Sequence, residues 1–174
     1  MTEIIRAARI EDAVCIGRVH VDSWRTTYKG IVPTEVLANL SYAQREQNVR
    51  QRLSNPENKT HTYVAEDEQG QIVGFVVGGP NRDVDTAYRS ELYAIYILKE
   101  AQGRGVGRQL THALVEHLVQ EEYYSMLVWV FANNPARCFY ESLGGKYLMT
   151  KPMEIGGVII DEVSYCWQDI RTML

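Results

Sequence analysis

Apolar positions along the chain follow two rhythms, and the change between them comes near residue 60. Before it the spacing is helical. After a short extended stretch at residues 3–9, Ala13, Ile16, Gly17, His20 and Trp24 recur three and four apart, which predicts a helix from Ile10 to about Tyr28. Gly30 and Pro33 break that pattern, and Pro33 suits the start of a second helix that turns Val36, Leu37 and Leu40 inward. The polar segment "SYAQREQNVRQRLS" (41–54) reads as a third helix. Beyond it the period falls to two. Strands at 60–67 and 72–79 flank a turn at 68–71, an antiparallel hairpin by spacing and turn chemistry. A longer strand (88–98), a helix to about Glu122 and a buried strand (125–132) follow. A short helix with Pro135 near its first turn ends at Gly144 and Gly145. Two last strands, 146–154 and 157–168, turn near Gly156 and Gly157. This order predicts one α/β domain over residues 1–174, of α+β character, with helices on both faces of a mixed sheet.

Composition changes that picture little. The 174 residues carry a net charge of -4 and a pI near 5.6. That balance argues against nucleic acid or an anionic membrane as the main partner. The start, "MTEIIRAARIEDA", has no secretory pattern, and the run "MLVWVFA" (126–132) is too short to cross a bilayer as a helix. Cys15, Cys138 and Cys166 form no CxxC pair and read as buried thiols of a cytoplasmic protein. His112 and His117, five apart, do not share a helical face, so no metal site is expected.

The chemistry concentrates around "QGRGVG" (102–107), between the strand "LYAIYIL" (92–98) and a helix with Val106, Leu110, Leu114 and Leu118 on one face. A dinucleotide fingerprint fails because its third glycine would fall at Arg108, and no phosphate loop of the GxxxxGK[ST] type is present. A Gly-x-Gly pair at a helix mouth still makes a concave row of backbone N–H groups at the positive end of the helix dipole. With Arg104 and Arg108 beside it, a pyrophosphate is the natural guest.

Glu91 with the strand to Ile97, then Gln102 to Gly107, then "NNPARCFYESLG" (133–144) together resemble the GNAT superfamily of N-acyltransferases. The first glycine stretch is similar to its [Q/R]-x-x-G-x-[G/A] motif, and the second to its N-x-x-A-x-x-[F/Y]-Y-x-x-x-G motif. The resemblance implies a mostly antiparallel sheet of about seven strands, splayed in a V between the fourth and fifth. It implies acetyl-CoA as cofactor, with backbone groups at Ile95, Tyr96 and Ile97 along the pantetheine. Gln102, Gly103, Arg104, Gly105, Val106, Gly107 and Arg108 would hold the pyrophosphate, and Asn133 and Ala136 the arm. Tyr140 would be the general acid beside the sulfur, and Glu91 the general base or an anchor for substrate charge. The acceptor implied is a small cationic, polyamine-like amine or a peptide amine, with a silent acyl-CoA sensor or a protein acetyltransferase as alternatives. Trp24 and Tyr28, one helical turn apart, could form an aromatic wall for it. Two departures from the family pattern stand out: Lys99 replaces a frequent proline, and Gly145 replaces the aromatic that usually closes the second motif. Relatives are often dimers, and the final strands offer an interface.

Overall fold

The computed structural model describes residues 3–174. Its strands are β1 (Ile4–Ala7), β2 (His61–Glu66), β3 (Ile72–Pro80), β4 (Ser90–Ile97), β5 (Met126–Phe131), β6 (Lys146–Ile155) and β7 (Val158–Trp167). They form one sheet in the order β1-β2-β3-β4-β5-β7-β6. Every pairing is antiparallel except β4 with β5, which are parallel. That parallel pair is joined by the crossover helix α4 (Val106–Gln120), as parallel neighbours require.

The sheet opens in its middle, and a single residue marks the place. On β3, Val77 faces Ala94 and the next residue, Gly78, faces Leu92, so Tyr93 is an extra residue on β4. Such a bulge bends its strand and sharpens the local twist. Beside it, β4 pairs with β5 only from Ser90 to Leu92, against Met126 to Val128. From Ala94 to Ile97 the strand keeps β3 on one side and faces an opening on the other.

Helices α1 (Ala13–Thr27), α2 (Thr34–Ala38) and α3 (Tyr42–Ser54) precede the hairpin, and α5 (Arg137–Ser142) follows β5. Ser41 caps α3, its Oγ accepting from the Gln44 N–H at 3.2 Å. Two cores lie on opposite faces. Leu110, Leu114 and Leu118 of α4 pack on Val76, Leu92 and Val128. Ala13, Ile16 and Val19 of α1 pack on Phe75 and Val77. A third cluster, Tyr28, Val32, Leu37 and Phe131, is joined by Ile155 and Ile160 and so ties the tip of the β6–β7 hairpin to α2.

The order of elements is the one the periodicity predicts, with ends that match or shift by up to three residues. Short 3-10 turns at Ile10–Asp12, Lys99–Ala101 and Ile170–Met173 carry too few residues to show a period. Of the three cysteines expected to be buried, only Cys166 is; Cys15 is half-buried and Cys138 is exposed, on the outward face of α5. No helix among the described residues is long and apolar enough to cross a membrane.

The glycine at 145 has a structural reason. A Cβ there would sit 2.7 Å from Trp167 Cζ2 and 2.8 Å from the Tyr140 carbonyl oxygen. The indole of Trp167, donating from Nε1 to the Leu143 carbonyl at 2.9 Å, fills the space at the end of α5. An aromatic ring expected at 145 is thus supplied from β7 instead.

Candidate active site

The opening between β4 and β5 is the mouth of a cleft of about 650 Å³. Its floor is the free edge of β4. The Leu98 N–H donates to the Val73 carbonyl at 2.9 Å. Backbone groups alternate sides along a strand, so Ile97 turns both its N–H and its C=O into the opening. The carbonyl accepts from Gln102 Nε2 at 2.9 Å, while the N–H is left to a ligand. Gln102 therefore fastens the glycine turn to the end of the strand.

Gly103 and Gly105 hold φ of 77° and 85°, a left-handed backbone that disfavours a Cβ. Gly105 is the N-cap of α4, and no side chain caps that helix. The N–H groups of its first turn have no carbonyl within the helix to bond, so they face the cleft as an unused row of donors. Gly103, Gly105, Gly107 and Arg108 line the cleft. Arg104 does not: its guanidinium lies 3.7 Å from Glu3. Val106, the first residue of α4, is buried and outside the cleft lining.

On the facing wall, Ala136, Phe139 and Tyr140 line the cleft. Tyr140 is 5% exposed. Burial, and then the neighbouring Tyr96 phenol, push its pKa up, so the hydroxyl keeps its proton across the whole working range. Helix α5 is held by a chain of polar contacts: Arg137 Nε donates to Tyr165 Oη at 3.0 Å, and that hydroxyl donates to Glu141 Oε1 at 2.6 Å. Asn133, expected along the pantetheine, is exposed and outside the cleft lining. Its neighbour Asn134 is buried, lines the cleft, and accepts from the Ala136 N–H at 2.9 Å. Two adjacent asparagines look alike in sequence; only the turn geometry separates them.

The end of the cleft nearest α1 is aromatic and hydroxylic. Ser23, Thr26, Thr27, Tyr28, Tyr93 and Tyr96 line it. Tyr28 meets Trp24 edge to face at 4.7 Å and Phe131 at 5.2 Å. Burial, with the Tyr96 phenol close by, raises the Tyr28 pKa. Trp24 backs this wall rather than lining it. His20 packs behind, tilted at 4.9 Å from Tyr96, and burial with Arg45 and Arg52 nearby pushes its pKa down to about 3. It is a neutral packing group. Ser23 Oγ, His20 Nε2 and Trp24 Nε1 are buried without a hydrogen-bond partner.

Glu91, expected as a base, is 3% exposed and outside the cleft lining. Its carboxylate is held by Arg82: Oε2 accepts from Nε at 3.0 Å and from the backbone N–H at 3.2 Å, while Oε1 accepts from Nη2. The same guanidinium covers the Tyr93 ring at 4.6 Å. Nearby, Lys151 lies 3.8 Å over the Trp129 ring and 4.0 Å from Glu162. Burial raises the Glu162 pKa, and Lys151, Arg82 and Glu91 all act on it. The rim is therefore an alternation of both signs. No local pattern announces it, because its members come from four separate segments.

A free strand edge, a glycine-lined helix mouth and a buried phenol in one cleft define a protein class, the transferases that lay a phosphorylated, thread-like cofactor across a split sheet. The particular family follows from comparison. The profile of the Acetyltransferase (GNAT) family matches residues 21–145. The chain is 39% identical over 169 residues to the uncharacterized N-acetyltransferase YuaI of Bacillus subtilis, covering 97% of this chain and 95% of that one. It superposes with a TM-score of 0.73 on the crystal structure of the PaiA N-acetyltransferase from Thermoplasma acidophilum in complex with coenzyme A, at 20% identity over 93% of this chain and 98% of that one. The phosphinothricin acetyltransferase of Sinorhizobium meliloti in complex with AcCoA gives 0.70, at 23% identity over 96% and 88%. This chain belongs to the GNAT acetyltransferase family.

Proposed function

We propose that the chain is an acetyl-CoA-dependent N-acetyltransferase whose acceptor is an amine with a single positive charge on a peptide-like or aromatic-compatible stem. The cofactor reading is supported by the two neighbours above, which hold coenzyme A or AcCoA, and by the fit of this cleft. The first-turn amides of α4, with Arg108, would hold the pyrophosphate. The free edge at Ile95 and Ile97 would hydrogen-bond the pantetheine as an added strand. The bound cofactor supplies the acetyl group. Tyr140 holds the proton that a departing thiolate needs. Asn134, rather than Asn133, is the asparagine in reach.

One observation carries the acceptor reading: among the described residues that line the cleft, none is acidic. A polyamine with several charges would meet hydroxyls and aromatic rings, with carboxylates only at the rim and already paired to Arg82 or near Lys151. One alkylammonium against the Tyr28 face suits that lining. The test is release of free CoA with spermidine, simple primary amines and short peptides as acceptors. The reading expects kcat/KM for the best single amine or peptide to exceed that for spermidine at least tenfold, and Tyr28→Leu to raise the acceptor KM roughly 3- to 30-fold, the worth of a lost cation–π contact. A preference for spermidine would overturn it, as would an acceptor KM untouched by the substitution.

A dimer is part of the proposal. Strand β6 is an outer strand exposed along nearly its whole length, with Tyr147, Leu148 and Met149 uncovered. Its unpaired backbone groups suit pairing with a second copy. Pro152 and the charge of Lys151 would confine that pairing to the first half of the strand. Light scattering at the monomer mass of 19.9 kDa at micromolar concentration would remove this part.

A further inference from the structure

On the face of the sheet that α4 covers, two imidazoles and a carboxylate meet. His117 and Glu121 stand four residues apart at the end of α4, on one helical face. His61 joins them from the start of β2, 60 residues from Glu121. His61 Nε2 lies 2.8 Å from Glu121 Oε2, and His117 Nε2 lies 3.7 Å from Glu121 Oε1. The two rings lie tilted with centroids 3.8 Å apart, and one ligand atom from each of the three residues falls within 4.8 Å of the others. Helical spacing within α4 does not reveal this, because the second histidine comes from a strand.

We propose that His61, His117 and Glu121 form a binding site for a borderline divalent cation of the zinc type. Two imidazoles and one carboxylate are a zinc, cobalt or nickel donor set, and a poor one for magnesium or calcium, which take oxygen ligands. Tyr63 orients the site: its hydroxyl lies 2.9 Å from His117 Nδ1. With Nδ1 committed to that contact, Nε2 is the nitrogen left for a metal, and such outer partners are what fix a ligating ring. The cation takes the place of the hydrogen bond between His61 Nε2 and Glu121 Oε2, and His61 offers its Nε2 lone pair as the neutral Nδ1–H tautomer. Tetrahedral ligation at about 2.0–2.1 Å per bond sets ligand atoms about 3.3 Å apart. The 2.8 Å contact therefore widens and the 3.7 Å contact shortens, each by rotation of side chains that are not fully buried. Water reaches the fourth position along a groove of about 580 Å³ that Tyr63, Glu116 and His117 help to line. Bound there, the ion clamps β2 to the end of the helix whose other end forms the glycine turn.

The experiment uses the whole chain stripped with chelator. Calorimetric titration with Zn²⁺ should give one site, Co²⁺ should give the visible absorption of a tetrahedral complex, and Zn²⁺ should raise Tm. His61→Asn and His117→Ala should each weaken binding at least tenfold. Tyr63→Phe should weaken it roughly 10- to 100-fold, the usual worth of an outer partner. Cys138→Ser should leave it unchanged. An unaltered melting profile without metal shows that each variant has folded, and His61→Asn, at a half-buried position, is the deciding variant. No stoichiometric complex with the wild-type chain overturns the proposal. So does an affinity indifferent to His61→Asn, or one lost in Cys138→Ser.

Discussion

Replacing Tyr140 with phenylalanine lowers kcat roughly 10²- to 10⁴-fold, the range for a lost general acid, and leaves acetyl-CoA affinity within about twofold. The ring stays where it packs, among Phe139, Tyr165 and the other residues of the α4-side core. What leaves is one hydroxyl in the cleft, a proton donor that burial keeps protonated. Cofactor affinity should hold because the pyrophosphate and pantetheine contacts proposed for it come from α4 and β4, across the cleft. The measurement is steady-state kinetics beside calorimetric binding of the cofactor. An unchanged kcat would remove the acid role, and a parallel loss of affinity would mean that the variant had reshaped the cleft. Glu91→Gln makes the contrast. Its carboxylate already accepts three hydrogen bonds from Arg82 and lies outside the cleft. The acid limb of kcat/KM against pH should therefore survive that change, and its disappearance would restore Glu91 as the base.

Gly145→Phe, which restores the residue expected from the family pattern, should destabilise the protein. A side chain at 145 starts with its Cβ 2.8 Å from a backbone oxygen and 2.7 Å from the Trp167 ring. Neither can yield cheaply. The oxygen belongs to Tyr140 in α5, and the indole is hydrogen-bonded to Leu143 and buried. Overpacking of this kind costs about 1–3 kcal/mol, which in a chain of this size lowers Tm by roughly 2–12 °C. Since the obstacle includes the backbone of Tyr140, kcat should fall as well. Thermal denaturation and kinetics on the same sample check both. The double change Gly145→Phe with Trp167→Ala should recover part of the stability, because it removes the ring but not the oxygen. A single variant as stable as wild type would show that the indole does not fill that place.

Much of the site was legible because its signals are local. A Gly-x-Gly pair before an amphipathic run states its own backbone requirement, and Gly103 and Gly105 do take positive φ. Leu110, Leu114 and Leu118 declared their buried face by spacing, and all three are fully buried. Tyr140 and Ala136 are placed by the same short helix that their motif predicts. Gln102 was expected on the cofactor; it lines the cleft, but its amide is spent on the Ile97 carbonyl.

The chain alone therefore determined the succession of strands and helices, the glycine turn at the mouth of α4 and the phenol opposite it. Each depends on residues a few positions apart, where periodicity and backbone preference act directly. Tertiary structure alone decided the rest. The bulge at Tyr93 decides where the sheet opens, Arg82 decides what Glu91 can do, and the turn after β5 decides which asparagine enters the cleft. Trp167 decides that Gly145 stays small, and β2 brings His61 to α4. These outcomes turn on register and on close packing between distant segments. A shift of one residue along a strand reverses the side on which a group points, and no local pattern records that choice.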